Sequence, residues 1–309
     1  MAAGAVDKLC RRRWPLAAAK KALARVFICH GTHEHSGRYT ELAAALNAGG
    51  MEAYALDYHG HGRREGAKGD FGDLDDAIDE TVELIMSEAR GPSVECLPVV
   101  IFGHSLGSMV AFLVAHKMAE SPTLPTPHAV VLSGFAMDSV SPPFGVKALT
   151  PVLRALPSVI QQVTNVLASL APQGPACPLP PASALMDDQE RAAQSVADPL
   201  NYHGWIQNRT ACALLEGRRR CQLHLHDFGR AFPFLMIHGE ADDLCPRSAC
   251  DALMAASPQS DKELKLYPSV HEVLNAKPAT RSRALGDIVA WIETRAHKTA
   301  APVALQSKL

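Results

Sequence analysis

Three residues in this 309-residue chain have the types and the order needed for nucleophilic acyl transfer: Ser105, then Asp242 or Asp243, then His271. Ser105 is the middle of Gly103-His104-Ser105-Leu106-Gly107, a G-x-S-x-G pentapeptide. A serine hydroxyl is a weak nucleophile at neutral pH, so an imidazole must take its proton. A carboxylate must in turn hold that imidazole in the right tautomer and stabilise the imidazolium. Each of the three lies just beyond a strand-like run, so each is delivered to one edge of a sheet. Position alone leaves Asp242 and Asp243 as competitors for the acid.

The pentapeptide reads as a nucleophile elbow because of its flanks. Residues 99–102 (Val-Val-Ile-Phe) make a strand, and residues 108–116 continue as a helix. A strand that turns at once into a helix forces the apex residue into strained backbone geometry, which lifts its Oγ clear of the sheet. Glycines two before and two after the serine allow the close approach of neighbouring backbone. An oxyanion formed during attack needs N–H donors. The residue after the nucleophile supplies one and a His-Gly loop after an earlier strand supplies another, which nominates the backbone N–H groups of Leu106 and Thr32. That loop also contains His33-Glu34-His35. Metal ligands usually converge from helical spacing or from separate segments, so three adjacent residues read as part of the oxyanion loop, and neither metal nor organic cofactor is implied.

The elements that position these groups alternate. Residues 25–29 form a buried strand, 40–48 a helix closed by Gly49-Gly50, 51–57 a strand, and 73–90 a helix with Leu74, Ala77, Ile78, Val82, Ile85 and Met86 on one face. Strands follow at 129–133, 233–237 and 263–267, and a helix over 284–295 closes the chain. Strand-helix alternation predicts parallel βαβ units and a sheet covered on both faces. The rhythm breaks over 138–208, which has no strand-like run and is rich in proline. There Leu149, Leu153, Leu156, Val159, Ile160, Val163, Val166, Leu167 and Leu170 make an apolar stripe at helical spacing, interrupted at Pro157. The expected fold is α/β with a mostly parallel central sheet, 1–137 and 209–309 forming the core and 138–208 an inserted helical cap. The stripe fits either a core helix or a lid over an acyl-chain tunnel.

Composition agrees with a globular protein: 47% hydrophobic, 20% charged, net charge -2. No apolar run approaches the roughly 18 residues that span a bilayer. The near-neutral balance gives no general attraction to nucleic acid. Lys8, Arg11, Arg12, Arg13, Lys20, Lys21 and Arg25 make the first residues basic, which reads as a solvated leading strand rather than a transit peptide. Eight cysteines without a C-x-x-C pair read as free thiols of a reducing compartment.

On these motifs the chain resembles the monoacylglycerol lipases of the α/β-hydrolase superfamily. The likeness spans nearly the whole chain. It rests on His30-Gly31 with Glu34-His35-Ser36-Gly37-Arg38-Tyr39, on Gly60-His61-Gly62, on the elbow, on Asp198-Pro199-Leu200, on the seven residues from Gly239 through Asp242 and Asp243 to Cys245, and on 261–267 leading to His271. The resemblance implies that Asp242 is the triad acid, that the cap binds the acyl chain through residues such as Leu153 and Val163 and touches membranes, and that Cys245 lies near the glycerol end. It implies hydrolysis of monoacylglycerol through an acyl-enzyme on Ser105. Lysophospholipase or acyl-CoA thioesterase activity is the enzymatic alternative, and an inactive hydrolase-fold binding protein the non-enzymatic one. The chain departs from the family at His33, where a small residue is usual, at Arg64, where Ser or a similar residue stands, and at Ser108, where Gly stands.

Ser307-Lys308-Leu309 spells the tripeptide read by the peroxisomal import receptor. The expected address is a peroxisome or glycosome, against the cytoplasmic, membrane-associated placement usual for the family.

Overall fold

The computed structural model describes residues 10–17, 21–89, 97–138 and 157–300. Leu153 and Ser307-Lys308-Leu309 lie outside the described residues. The chain runs β1 (Arg12–Trp14), β2 (Ala24–Cys29), α1 (Thr40–Ala48), β3 (Met51–Ala55), α2 (Leu74–Ala89), β4 (Val99–His104), α3 (Leu106–Glu120) and β5 (Ala129–Ser133). It continues through α4 (Pro157–Leu170), β6 (Pro175–Cys177), α5 (Ala182–Leu185), α6 (Gln189–Ala197), β7 (Ile206–Gln207) and α7 (Asn208–Leu223). The last elements are β8 (Phe234–Gly239), α8 (Ser248–Ala256), β9 (Lys262–Tyr267) and α9 (Pro278–Ala300).

Seven strands form one sheet in the order β1-β3-β2-β4-β5-β8-β9. All neighbours are parallel except β1, which pairs antiparallel with β3, Arg13 opposite Tyr54. The basic leading segment is thus an edge strand, and the exposed Arg13 side chain meets Glu88 at 2.5 Å. Alternation along each inner strand sends side chains to two separate cores. Phe27, Ile101, Val130, Leu132, Phe234 and Met236 pack with Met109, Phe112 and Phe228 on one face. Val26, Val100, Phe102, Val131, Leu235 and Ile237 pack with Leu42, Leu46, Ile288 and Trp291 on the other. The period of two explains why the central strands read as unbroken apolar runs: both of their faces are buried.

β5 and β8 are neighbours, Val130 opposite Phe234, so the chain between them is one long crossover that holds the cap elements. α7 returns from it onto α3, where Gly217 lies close to Met109. One expectation is corrected. The 138–208 stretch does contain strand: Pro175 pairs with Gln207 and Cys177 with Ile206, antiparallel and irregular. Strands of three and two residues are too short to show a period of two, and the prolines around them masked the pairing.

Candidate active site

Ser105 sits where β4 becomes α3, with φ 54° and ψ -122°. An L-residue with positive φ at this place is strained, and the surroundings hold it there. A Cβ on Gly103 would stand 2.2 Å from the Gly107 carbonyl oxygen, and one on Gly107 would stand 2.1 Å from the Cys29 carbonyl oxygen. Both glycines are therefore sterically required. The Ser105 N–H donates to the Ser133 carbonyl at 2.9 Å, tying the apex to β5. Ser108 donates its hydroxyl to the Ser105 carbonyl.

His271 lies just beyond β9 and Asp242 just beyond β8. Nδ1 of His271 and Oδ2 of Asp242 are 2.8 Å apart, both groups buried. The other carboxylate oxygen accepts the backbone N–H groups of Leu244 (3.0 Å) and Cys245 (2.9 Å). Burial alone would raise the Asp242 pKa. The facing His271 and these N–H donors outweigh it, so the pKa falls below the usual carboxylate value. Burial likewise would lower His271, but the Cys245 sulfur and the Asp242 carboxylate hold its pKa well above the ordinary histidine value. In the neutral form of the ring, with Nδ1–H given to Asp242, Nε2 carries the lone pair, and that nitrogen is buried without a hydrogen-bond partner. His271 is beside the elbow: its ring centroid is 5.0 Å from that of His104. Asp243, the competitor, is exposed.

The loop after β2 is fixed from below. His30 Nε2 accepts the Tyr58 N–H at 3.0 Å, leaving Nδ1 to donate to the Gly31 carbonyl at 2.8 Å. Gly31 is close to Ser105, since a Cβ there would stand 3.3 Å from Ser105 Cβ and 2.8 Å from Glu34 Oε1. Thr32 follows it on the turn, half-buried. Leu106 opens α3, so its N–H has no acceptor within the helix and points out of the N-terminus. The two nominated oxyanion donors thus come from a loop and a helix end that both adjoin Ser105.

His33 and His35 diverge. His35 Nε2 meets Asp198 Oδ2 at 2.9 Å, whereas His33, at φ 63°, packs edge-on against Tyr202 with centroids 4.8 Å apart. Between them Glu34 turns inward, accepting the Gly31 N–H and the Tyr39 hydroxyl at 2.5 Å each. Arg38 pairs with Glu34 at 2.7 Å and with Glu272 at 2.7 Å. Burial would raise the Glu34 pKa, but the Arg38 guanidinium above all, with His104, His30 and the Tyr39 hydroxyl beside it, brings it down to about 2. This carboxylate-guanidinium-carboxylate cluster links the oxyanion loop to the residue after His271. Sequence reasoning missed it, although Arg38 four residues after Glu34 and Glu272 directly after the base were its visible traces.

Cys245 is 1% exposed, and its sulfur lies within 4.8 Å of ligand atoms of both Asp242 and His271. Val163 is on α4 and 53% exposed, in an outward stripe with Val159, Val166, Leu167 and the 79% exposed Leu170.

A mostly parallel sheet with a strained serine between strand and helix, and a buried His-Asp pair brought to the same edge, defines an α/β hydrolase. The chain belongs to the Hydrolase_4 family, serine aminopeptidase S33, which matches residues 20–278. It is 32% identical over 269 residues to a monoacylglycerol lipase of Mycolicibacterium smegmatis, covering 86% of this chain and 87% of the relative. To the human monoglyceride lipase it is 28% identical over 292 residues, 92% of this chain and 86% of the relative. The solved structure of a Paleococcus ferrophilus monoacylglycerol lipase superposes with a TM-score of 0.76 at 21% identity, over 92% of this chain and 98% of that one.

Proposed function

We propose that this ester hydrolase releases fatty acid from monoacylglycerol through an acyl-enzyme on Ser105. The observation that carries the reading is His271: Nδ1 is committed to Asp242 at 2.8 Å, and Nε2 is a buried, unpartnered acceptor beside the elbow. Ser105 Oγ attacks the ester carbonyl carbon as Nε2 takes its proton, and the N–H groups of Thr32 and Leu106 receive the oxyanion. Collapse breaks the ester C–O bond, and the glycerol oxygen leaves with the proton from Nε2. Water then attacks the acyl-enzyme by the same route and regenerates Ser105. The relatives' shared substrate supports glycerol as the leaving group. Fluorophosphonate labelling, then turnover of monoacylglycerol, lysophospholipid and acyl-CoA side by side, tests it. Faster turnover of either alternative than of monoacylglycerol contradicts the substrate assignment.

The outward stripe on α4 supports peripheral contact with a lipid surface, where such a substrate resides. Five large apolar side chains from Val159 to Leu170 stand on one exposed helix face, a pattern that soluble surfaces rarely carry without a partner. Where Leu309 bears the free carboxylate, we propose Ser307-Lys308-Leu309 as a peroxisomal import address. Deleting Leu309 from an N-terminally tagged chain should turn a punctate signal diffuse; a punctate signal that survives contradicts it.

A further inference from the structure

A second histidine stands behind the acid. His238, on β8, is fully buried, and its Nε2 is 3.6 Å from Asp242 Oδ2, the same oxygen that faces His271. Its other nitrogen, Nδ1, is 3.5 Å from the sulfur of Cys250 on α8. Four buried groups therefore form one row, from Cys250 through His238 and Asp242 to His271.

Chemistry fixes which atoms hold the protons. Burial would raise the Asp242 pKa, but its partners bring it below the usual value, so the carboxylate is ionised at neutral pH and only accepts. Burial pushes the Cys250 thiol up to about 12, so it keeps its proton and donates. Burial also lowers the His238 pKa, so the ring is neutral with one N–H. With Nδ1–H toward sulfur, the Nε2 lone pair would confront a carboxylate. With the thiol donating to Nδ1, Nε2–H points at Oδ2, and both contacts are favourable. At 3.6 Å the second is a charge–dipole contact rather than a full hydrogen bond. The titratable and charged groups facing His238 are Asp242, His271, Cys250 and Arg247, and the backbone of Cys245 is a further hydrogen-bonding neighbour.

We propose that His238 is a positioning residue of the triad: held by Cys250, it presents Nε2–H to Asp242 and fixes the carboxylate on which His271 depends. The inference rests on the assignment of Asp242 as the triad acid. The functional consequence concerns basicity as well as placement. A donor on Oδ2 lowers the proton affinity of the carboxylate and so its grip on the imidazolium. It therefore keeps His271 able to release its proton near neutral pH.

The test measures kcat, KM and the pH profile of kcat/KM on a soluble ester for the full chain carrying His238→Leu, His238→Gln or Cys250→Val, with folding checked by circular dichroism. His238→Leu should lower kcat about three- to tenfold, the range for losing one weak donor to an ionised acceptor, with KM unchanged. Its acid limb should move to higher pH, because the relieved carboxylate holds the His271 proton more strongly. His238→Gln, whose amide N–H can donate, should restore both. A merely structural residue would lower stability without moving the limb. An unmoved limb with wild-type kcat in His238→Leu, or a His238→Gln no better than His238→Leu, overturns the proposal. Should His238→Leu fail to fold, Cys250→Val decides: a raised limb supports the proposal, an unmoved one overturns it. The two assignments separate cleanly. Activity surviving Asp242→Asn overturns the choice of acid, whereas an inactive Asp242→Asn beside a wild-type-like His238→Leu overturns only the role of His238.

Discussion

Asp242 and its neighbour Asp243 occupy opposite environments one residue apart: Asp242 is buried with Oδ2 2.8 Å from His271 Nδ1, while Asp243 is exposed. The turn is what separates them. Asp242 Oδ1 caps the N–H groups of Leu244 and Cys245, which points the carboxylate inward and carries the next side chain out to water. Asp242→Asn should lower kcat about 10⁴-fold by presenting the wrong tautomer to the nucleophile. Asp243→Asn should stay within about twofold, as exposed substitutions away from the reacting groups do. Steady-state rates on one soluble ester check the ranking, and the reverse order contradicts it. The pH dependence follows from the same pair. His271 acts as base only when neutral, and its pKa is held above the ordinary value, so the acid limb of kcat/KM should lie above the midpoint of a free histidine.

The Glu34-Arg38-Glu272 cluster predicts an acid-dependent stability. The Glu34 pKa falls from 4.5 to about 2 on folding. A depressed carboxylate contributes stability that is present above the unfolded pKa and lost as pH falls through the folded one. Glu34→Gln should therefore destabilise the protein at pH 7 by on the order of 3 kcal/mol, leaving Arg38 short of a buried partner. The gap between wild type and variant should shrink between about pH 4.5 and pH 2. Thermal melts across that range check it, and a gap constant with pH contradicts the ion-pair account.

Val163→Asp places a charge in the middle of the exposed α4 stripe. If that stripe meets lipid, the variant should lose about tenfold or more in binding to neutral phospholipid vesicles, a loss of roughly 1.5–3 kcal/mol of apolar burial. Turnover of a short soluble ester should be unchanged. Vesicle flotation and turnover of the short ester, run together, check it; unchanged flotation, or an equal loss in both measurements, contradicts a membrane-facing role.

The places of Ser105 and Asp242 were readable because each follows a strand with both faces buried, an unbroken apolar run, whereas β9, which leads to His271, is a half-buried edge strand legible only by its alternating pattern. The elbow carries its own evidence, since Gly103 and Gly107 are there for contacts of 2.2 and 2.1 Å that any side chain would violate. The cap was less legible. Its paired strands are two and three residues long, and its amphipathic helix turns an apolar face outward, where periodicity predicts burial. Contacts between distant segments were the least visible. Nothing local to His238 shows that Cys250 and Asp242 flank it, and nothing local to Glu34 shows that Arg38 also reaches Glu272. Those relationships arise only when parallel strands bring loops from separate parts of the chain to one edge.

The account stands on Ser105 as the nucleophile for monoacylglycerol. Its most direct measurement is fatty-acid release from monoacylglycerol by wild type and by Ser105→Ala, matched by circular dichroism and melting temperature. Removing the hydroxyl takes away the covalent path and little packing, so the account predicts a fall in kcat of about 10³-fold or more in a protein that folds as wild type does. A folded Ser105→Ala that keeps more than about one hundredth of the wild-type rate contradicts it.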